Sequence, residues 1–153
     1  MPLNFQYLIK EFAQSKGLDS DEQSIGLEFE CEGHSVTLFQ HPKHEHFLMA
    51  DVSVAILSAH PPVEQLALLL QINEVARFEH DWAIVLDSAQ QVSLTSSTDF
   101  SSMSVADLEA LMLDGVERAQ VLQSMLMQLQ DIPMAKDTAS AQSPGADGMM
   151  IRG

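Results

Sequence analysis

Leu48, Ala50, Val52, Val54 and Ile56 alternate with Met49, Asp51, Ser53 and Ala55, so a hydrophobic period of two runs unbroken through the stretch. A strand points successive side chains to opposite sides, so this segment demands a sheet with an apolar face and something to cover it. Two shorter segments carry the same period. Ile25, Leu27, Phe29 and Cys31 alternate with Gly26, Glu28, Glu30 and Glu32, and beyond Gly33, Val36 and Leu38 alternate with Ser35, Thr37 and Phe39. The spacing predicts a hairpin turning at Gly33, ended by a loop from Gln40 to His46. Trp82, Ile84 and Leu86 give a fourth strand, and Val92 and Leu94 a fifth, joined by a polar turn across Asp87 to Gln91.

The cover comes from segments of helical period. Phe5, Leu8, Ile9 and Phe12 fall at i, i+3, i+4 and i+7, and Gly17 with Leu18 supplies a left-handed stop. Pro61 and Pro62 fit the start of a second helix running to about Arg77, since the first helical positions need no N–H donor. Its apolar residues, among them Val63, Leu66, Leu69, Leu70, Ile72 and Val75, spread over more than one face, so part of that surface is expected to be buried by another subunit. Ser104 with Asp107 forms a capping-box pattern, flanked by Met103 and Leu108 as a hydrophobic staple. From there Leu108, Leu111, Met112, Val116, Ala119, Leu122, Met125 and Leu126 keep helical spacing to about Gln130, interrupted only by Gly115. The order α-β-β-β-α-β-β-α describes an α+β sandwich, a twisted antiparallel sheet packed against helices, with none of the βαβ alternation of nucleotide-binding sheets. Residues 1–130 are expected to form one domain and 131–153, rich in Pro, Ser, Ala, Gly and Asp, a disordered tail.

Charge narrows the function classes. Seven basic against 22 acidic side chains leave −15, a field that repels phosphate backbones and anionic membrane surfaces. No nucleic-acid or membrane partner is expected, and no apolar run approaches the roughly 18 residues of a membrane helix. A single cysteine, Cys31, excludes an intramolecular disulfide and agrees with a cytoplasmic protein without a secretory leader.

Candidate chemistry is sparse. No G-x-S-x-G elbow, P-loop, G-x-G-x-x-G or H-E-x-x-H motif occurs, and Cys31 sits on the apolar side of its strand, where a thiol acts as a small hydrophobe. His41, His44 and His46 in HPKHEH, with His34 in possible reach, are the one cluster of metal-ligand type. A single loop offers little to fix such ligands, so they are weak candidates and the expectation is no cofactor and no metal. The methionines of the C-terminal third, including Met103, Met112, Met125 and Met127, suit either core filling or an adaptable binding surface.

The opening helix NFQYLIKEFAQSKGL with the hairpin IGLEFECEGHSVTLF, the stretch LALLLQINEVARFEHDWAIVLDSAQQVSLTSS, and the helix ADLEALMLDGVERAQVLQSML together resemble the class I type III secretion chaperones of the Tir chaperone superfamily. The resemblance covers residues 3 to 130 or so. It implies a non-enzymatic homodimer that binds the N-terminal segment of secreted effector proteins, keeps it extended and delivers it to a secretion ATPase. By the family's geometry, Leu66, Leu69, Leu70, Asn73, Trp82 and Ile84 would build the dimer interface. Phe5, Leu8, Phe12, Leu27, Phe29, Val36 and Leu38 would line effector grooves between the first helix and the sheet, with plain core packing as the alternative for each. Two other classes fit the residues: a regulatory or adaptor domain of the same fold binding a folded partner, and an acidic metal-responsive protein using the histidine loop.

Overall fold

The computed structural model describes residues 4–19, 26–79 and 81–130. The elements follow as α1 (Phe5–Ser15), β1 (Gly26–Cys31), β2 (His34–Gln40), β3 (Phe47–Ile56), α2 (Val63–Glu79), β4 (Trp82–Leu86), β5 (Gln91–Asp99) and α3 (Val105–Gln130). The strands form one antiparallel sheet in the order β1-β2-β3-β5-β4, so the α+β sandwich expected from periodicity is the fold. Ile25 and the segment 131–153 lie outside the described residues.

Local chemistry sets the ends of the elements. The Asn4 side chain accepts hydrogen bonds from the backbone N–H of Gln6 and Tyr7 and caps α1. At the other end Gly17, at φ 68°, lets the Leu18 N–H return to the Ala13 carbonyl at 2.8 Å, the cap that Gly17 and Leu18 predict. The β1–β2 hairpin turns on Glu32 and Gly33, both at positive φ as a two-residue turn of this hand requires, with Cys31 paired to His34. Ser104 and Asp107 close the capping box reciprocally: the Ser104 N–H donates to Asp107 Oδ2 at 2.9 Å and the Asp107 N–H to Ser104 Oγ at 3.1 Å. Those bonds, from the Ser104 backbone and then its hydroxyl, hold the Asp107 carboxyl below the usual carboxylate range.

Register aligns the inward residues in rows that cross the sheet. One row runs Leu27, Leu38, Ala50, Ser96, Trp82 and the next Phe29, Val36, Val52, Leu94, Ile84. Both α1 and α3 pack on this face. The α1 residues Phe5, Leu8, Ile9, Phe12 and Ala13 are buried there, with Phe12 against Phe29 and Phe5 edge-on to Phe100 at ring separations of 5.8 and 5.6 Å. An ion pair between Lys16 and Glu109 ties α1 to α3. Leu108, Met112, Val116, Ala119, Leu122 and Leu126 make the buried stripe of α3.

Small residues let α3 approach the middle of the sheet. A Cβ on Gly115 would stand 2.5 Å from the Trp82 ring and 3.1 Å from Val52 Cγ2, so the glycine is there for contact, and its effect on helix propensity is secondary. The second helix is peripheral: it leans on β4 and on α3. Buried Gln65 donates to the Leu126 carbonyl at 2.8 Å, and Asn73 Oδ1 accepts from the Ile84 N–H at 2.8 Å on the outer edge of β4.

Two outcomes test this account. Gly115→Ala should lower unfolding free energy in urea by about 1–3 kcal/mol through overpacking, although alanine is the better helix former. Ser104→Ala should cost about 1 kcal/mol as a lost cap. It should also raise the Asp107 pKa followed by NMR, because one of the bonds favouring the carboxylate is gone. In the wild-type protein the Asp107 contribution is present above the ordinary carboxylate range and lost as pH falls through its depressed folded value, so Ser104→Ala should shrink the stability gained between acid and neutral pH.

Candidate partner-binding surfaces

Six of the seven residues expected in effector grooves are core residues of the chain itself. Phe5, Leu8, Phe12, Leu27, Val36 and Leu38 are each no more than 6% exposed, because α1 packs on β1 and against α3, which itself reaches β2 and β3. Only Phe29, half-buried beside Phe12, reaches the surface. Alternation identified the face these residues share and left open whether the chain covers it by itself.

The six residues expected in a dimer seam divide differently. Leu69 and Trp82 are buried within the chain, Leu66, Asn73 and Ile84 are half-buried, and Leu70 is 73% exposed. Neighbouring apolar side chains share that exposure: Val63 and Val75 on α2, and Val85 and Leu86 on β4. Between α2, β4 and α3 lies an open groove of roughly 600 Å³, lined by Ile72, Val75, Trp82, Ile84, Leu94, Val121, Leu122 and Met125, with Gln71, Asp114, Glu117 and Arg118 at its polar margin. Val75 opens into this groove, whereas Val63 and Leu70, seven residues apart, share a different side of α2.

A polar knot fixes the groove floor. Asp114 Oδ2 accepts from Trp82 Nε1 at 3.0 Å and from Arg118 Nε at 2.9 Å. Sequence reasoning placed Trp82 on a strand and Gly115 as a break in α3, and missed that both belong to one contact with Asp114. The available signal was that a tryptophan on an apolar strand needs an acceptor for its N–H, and the Asp114–Gly115 pair interrupts an apolar stripe.

The histidine loop is a structured turn. His41 Nδ1 accepts from the backbone N–H of Lys43 at 3.0 Å and of His44 at 3.1 Å, and the His41 and His44 rings stand 4.7 Å apart. Among the described residues no group of three His, Cys, Asp or Glu side chains is arranged to hold a metal ion, His41, His44 and His46 included. The expected proximity of His34 is corrected: it begins β2 while His41 follows its end, about 23 Å away along the strand. His34 is buried, with Nδ1 2.8 Å from the Ser53 carbonyl, so that nitrogen donates and the residue is a structural link between β2 and β3. A second cleft of about 640 Å³ lies between the start of α1 and this turn, bordered by Phe5, Gln6, Phe39, Gln40, His41 and Pro42.

Cys31 is half-buried against the core, and burial, followed by the Glu32 charge, pushes its thiol above the usual value while Lys16 opposes them. Less thiolate is therefore present at neutral pH than for a free cysteine. Alkylation by iodoacetamide should be slower than that of a free thiol, and its pH profile should rise at higher pH; a profile at or below that of free cysteine would contradict the assignment.

No helix among the described residues is long and apolar enough to cross a membrane. The fold has known counterparts. A chain in the crystal structure of the ExsC–ExsE complex aligns with a TM-score of 0.68 at 20% identity, covering 82% of this chain and 97% of that one. A chain in the structure of the Yersinia pestis type III secretion chaperone SycH bound to a fragment of YscM2 aligns at 0.59 and 22% identity, covering 76% and 98%. One in the HopA1–SchA chaperone–effector complex aligns at 0.63 and 15%, covering 79% and 95%. No curated protein matches in sequence. Residues 7–123, from the first turn of α1 to the last third of α3, match the Tir chaperone protein (CesT) family, and the chain belongs to that family.

Proposed function

We propose that this protein is a cytoplasmic type III secretion chaperone. It acts as a homodimer, binds the N-terminal segment of one or more secreted effectors, keeps that segment extended and soluble, and presents it to the secretion ATPase, catalysing no reaction. The observation that carries the reading is the family match across nearly the whole described chain. The structures that share its fold include chaperone–effector and chaperone–fragment complexes.

The physical features support each part. Val63 and Leu70 on α2 and Val85 and Leu86 on β4 are exposed apolar side chains that no other described element covers, and a second copy would bury them symmetrically. The effector segment would run along the edge strand β1, where an extended chain can add hydrogen bonds and meet the half-exposed Phe29. Phe5, Leu8, Phe12, Leu27, Val36 and Leu38 then serve as the rigid floor below it. A charge of −15 keeps a protein with such apolar patches soluble.

Affinity purification of the tagged protein from its source, with mass spectrometry and light scattering of the eluate, tests the reading. Two copies with one secreted protein, held through that protein's N-terminal segment, are expected; a strict monomer, or a dimer carrying only folded cytoplasmic partners, would overturn it. Leu70→Asp should give a monomer whose unfolding free energy stays within about 0.5 kcal/mol of wild type, since the side chain is exposed within one chain. Leu69→Asp, one position away, should instead unfold the protein, because the charge enters the chain's own core. An unchanged dimer mass for Leu70→Asp would move the seam elsewhere.

A further inference from the structure

We propose that the groove between α2, β4 and α3 is the docking site of the chain's own segment 131–137, which turns back at the end of α3 and runs along it in extended form, with Ile132 and Met134 against the groove wall. The groove is an apolar surface without a cover: Trp82, Leu94 and Leu122 are buried at its floor, while Val75, Val121 and Met125 stand exposed on its walls. Its α3 wall leads to the place where the segment begins. Asp114, Arg118, Val121 and Met125 follow one another at helical spacing, and the same side of the helix continues through Gln128 and Leu129 to the last turn at Gln130.

The residues of the segment suit the wall they would meet. Pro133 disfavours helical geometry at Ile132, which gives the chain a reason to leave the helix there and to run extended. Counted back from Gln130 at 1.5 Å per residue, Met125 lies about 7.5 Å, Val121 about 13.5 Å and Glu117 about 19.5 Å along the helix. Counted forward in extended chain, Ile132 reaches about 7 Å, Met134 about 13 Å and Lys136 about 20 Å, less the residue spent on the reversal. Alternation sets these three side chains on one side and Pro133, Ala135 and Asp137 on the other. Two apolar side chains therefore meet apolar positions, and a lysine meets Glu117, which makes no ion pair among the described residues. An exposed ion pair contributes little, so burial of Ile132 and Met134 supplies most of the attraction and the charges favour the register. A segment tethered beside its site acts at an effective concentration on the order of millimolar, which a free apolar segment has to exceed to displace it.

Disulfide trapping in the full-length chain tests the docking, with Cys31→Ala removing the native thiol. A disulfide needs Cα atoms within about 7 Å, so Val121→Cys with Met134→Cys should close a bond within one chain. Met127→Cys with Met134→Cys is the reference pair: Met127 is exposed and nearer to Met134 in sequence, but it stands about 120° around the helix from Val121. The Val121 pair should close at least about tenfold faster than the Met127 pair, and adding Ile132→Asp should abolish that advantage. Equal rates for the two pairs, or an advantage that survives Ile132→Asp, would overturn the proposal. A covalent dimer in place of the intrachain bond would assign the groove to the segment of a second copy, and would overturn docking within one chain.

Discussion

The packing of α3 on the sheet depends on one close approach, that of the Gly115 backbone to the Trp82 ring and Val52. Helices pack on sheets through side chains, and a helix brought nearer than its side chains permit must have none at the point of contact. With Gly115 in place, α3 settles over β3 and β5, Leu108 and Met112 reach the sheet on one side of the contact, and Val116, Ala119 and Leu122 on the other. Ala50 and Ser96, the small residues of the row that ends at Trp82, keep the middle of the face low enough for this. The opening helix then covers β1 and packs beside α3, burying Leu8 and Phe12 there and Phe5 against Phe100.

The same contact explains why α2 is left with an open face. The chain leaves β3, the central strand, and returns through β4 at the edge, so α2 lies beside that edge. It is held by the Gln65 bond to Leu126, by Asn73 on the Ile84 N–H, and by Leu69 in the core. These anchors use one side of the helix. Its other side carries Val63 and Leu70, exposed among the described residues, while Val75 opens into the groove. Apolar residues on two faces of a helix that the fold places at an edge are what a helix shared between two chains requires.

Periodicity made the element order, the hairpin at Gly33, the cap at Gly17 and the Ser104–Asp107 box legible, because each rests on residues within a few positions of one another. What it left open involves distance along the chain. Trp82 and Asp114 stand 32 positions apart and meet only once α3 lies across the sheet. Leu69 and Leu70 are equivalent in composition and differ by one step of about 100° around α2, which decides core against surface. The expected groove residues on α1 and the sheet look the same whether the helix rests on the strands or stands off to admit a partner. His34 and His41 are close in sequence, but a strand rises about 3.3 Å per residue and carries them to opposite ends of β2.

Charge and burial divide the work of association. In the proposed dimer, two chains each carrying −15 would repel at long range, so association would have to come from desolvating apolar area at short range, part of which α2 and β4 expose. The acidic alternates of β1, Glu28 and Glu30, project from the sheet edge farthest from β4, which keeps their repulsion away from the apolar surface. At the groove the charges are few and mixed: Arg118 offsets Asp114 within one chain, leaving Glu117 beside them. A surface built this way would tolerate a like-charged copy over its apolar side chains, while the acidic remainder of the molecule discourages indiscriminate contact.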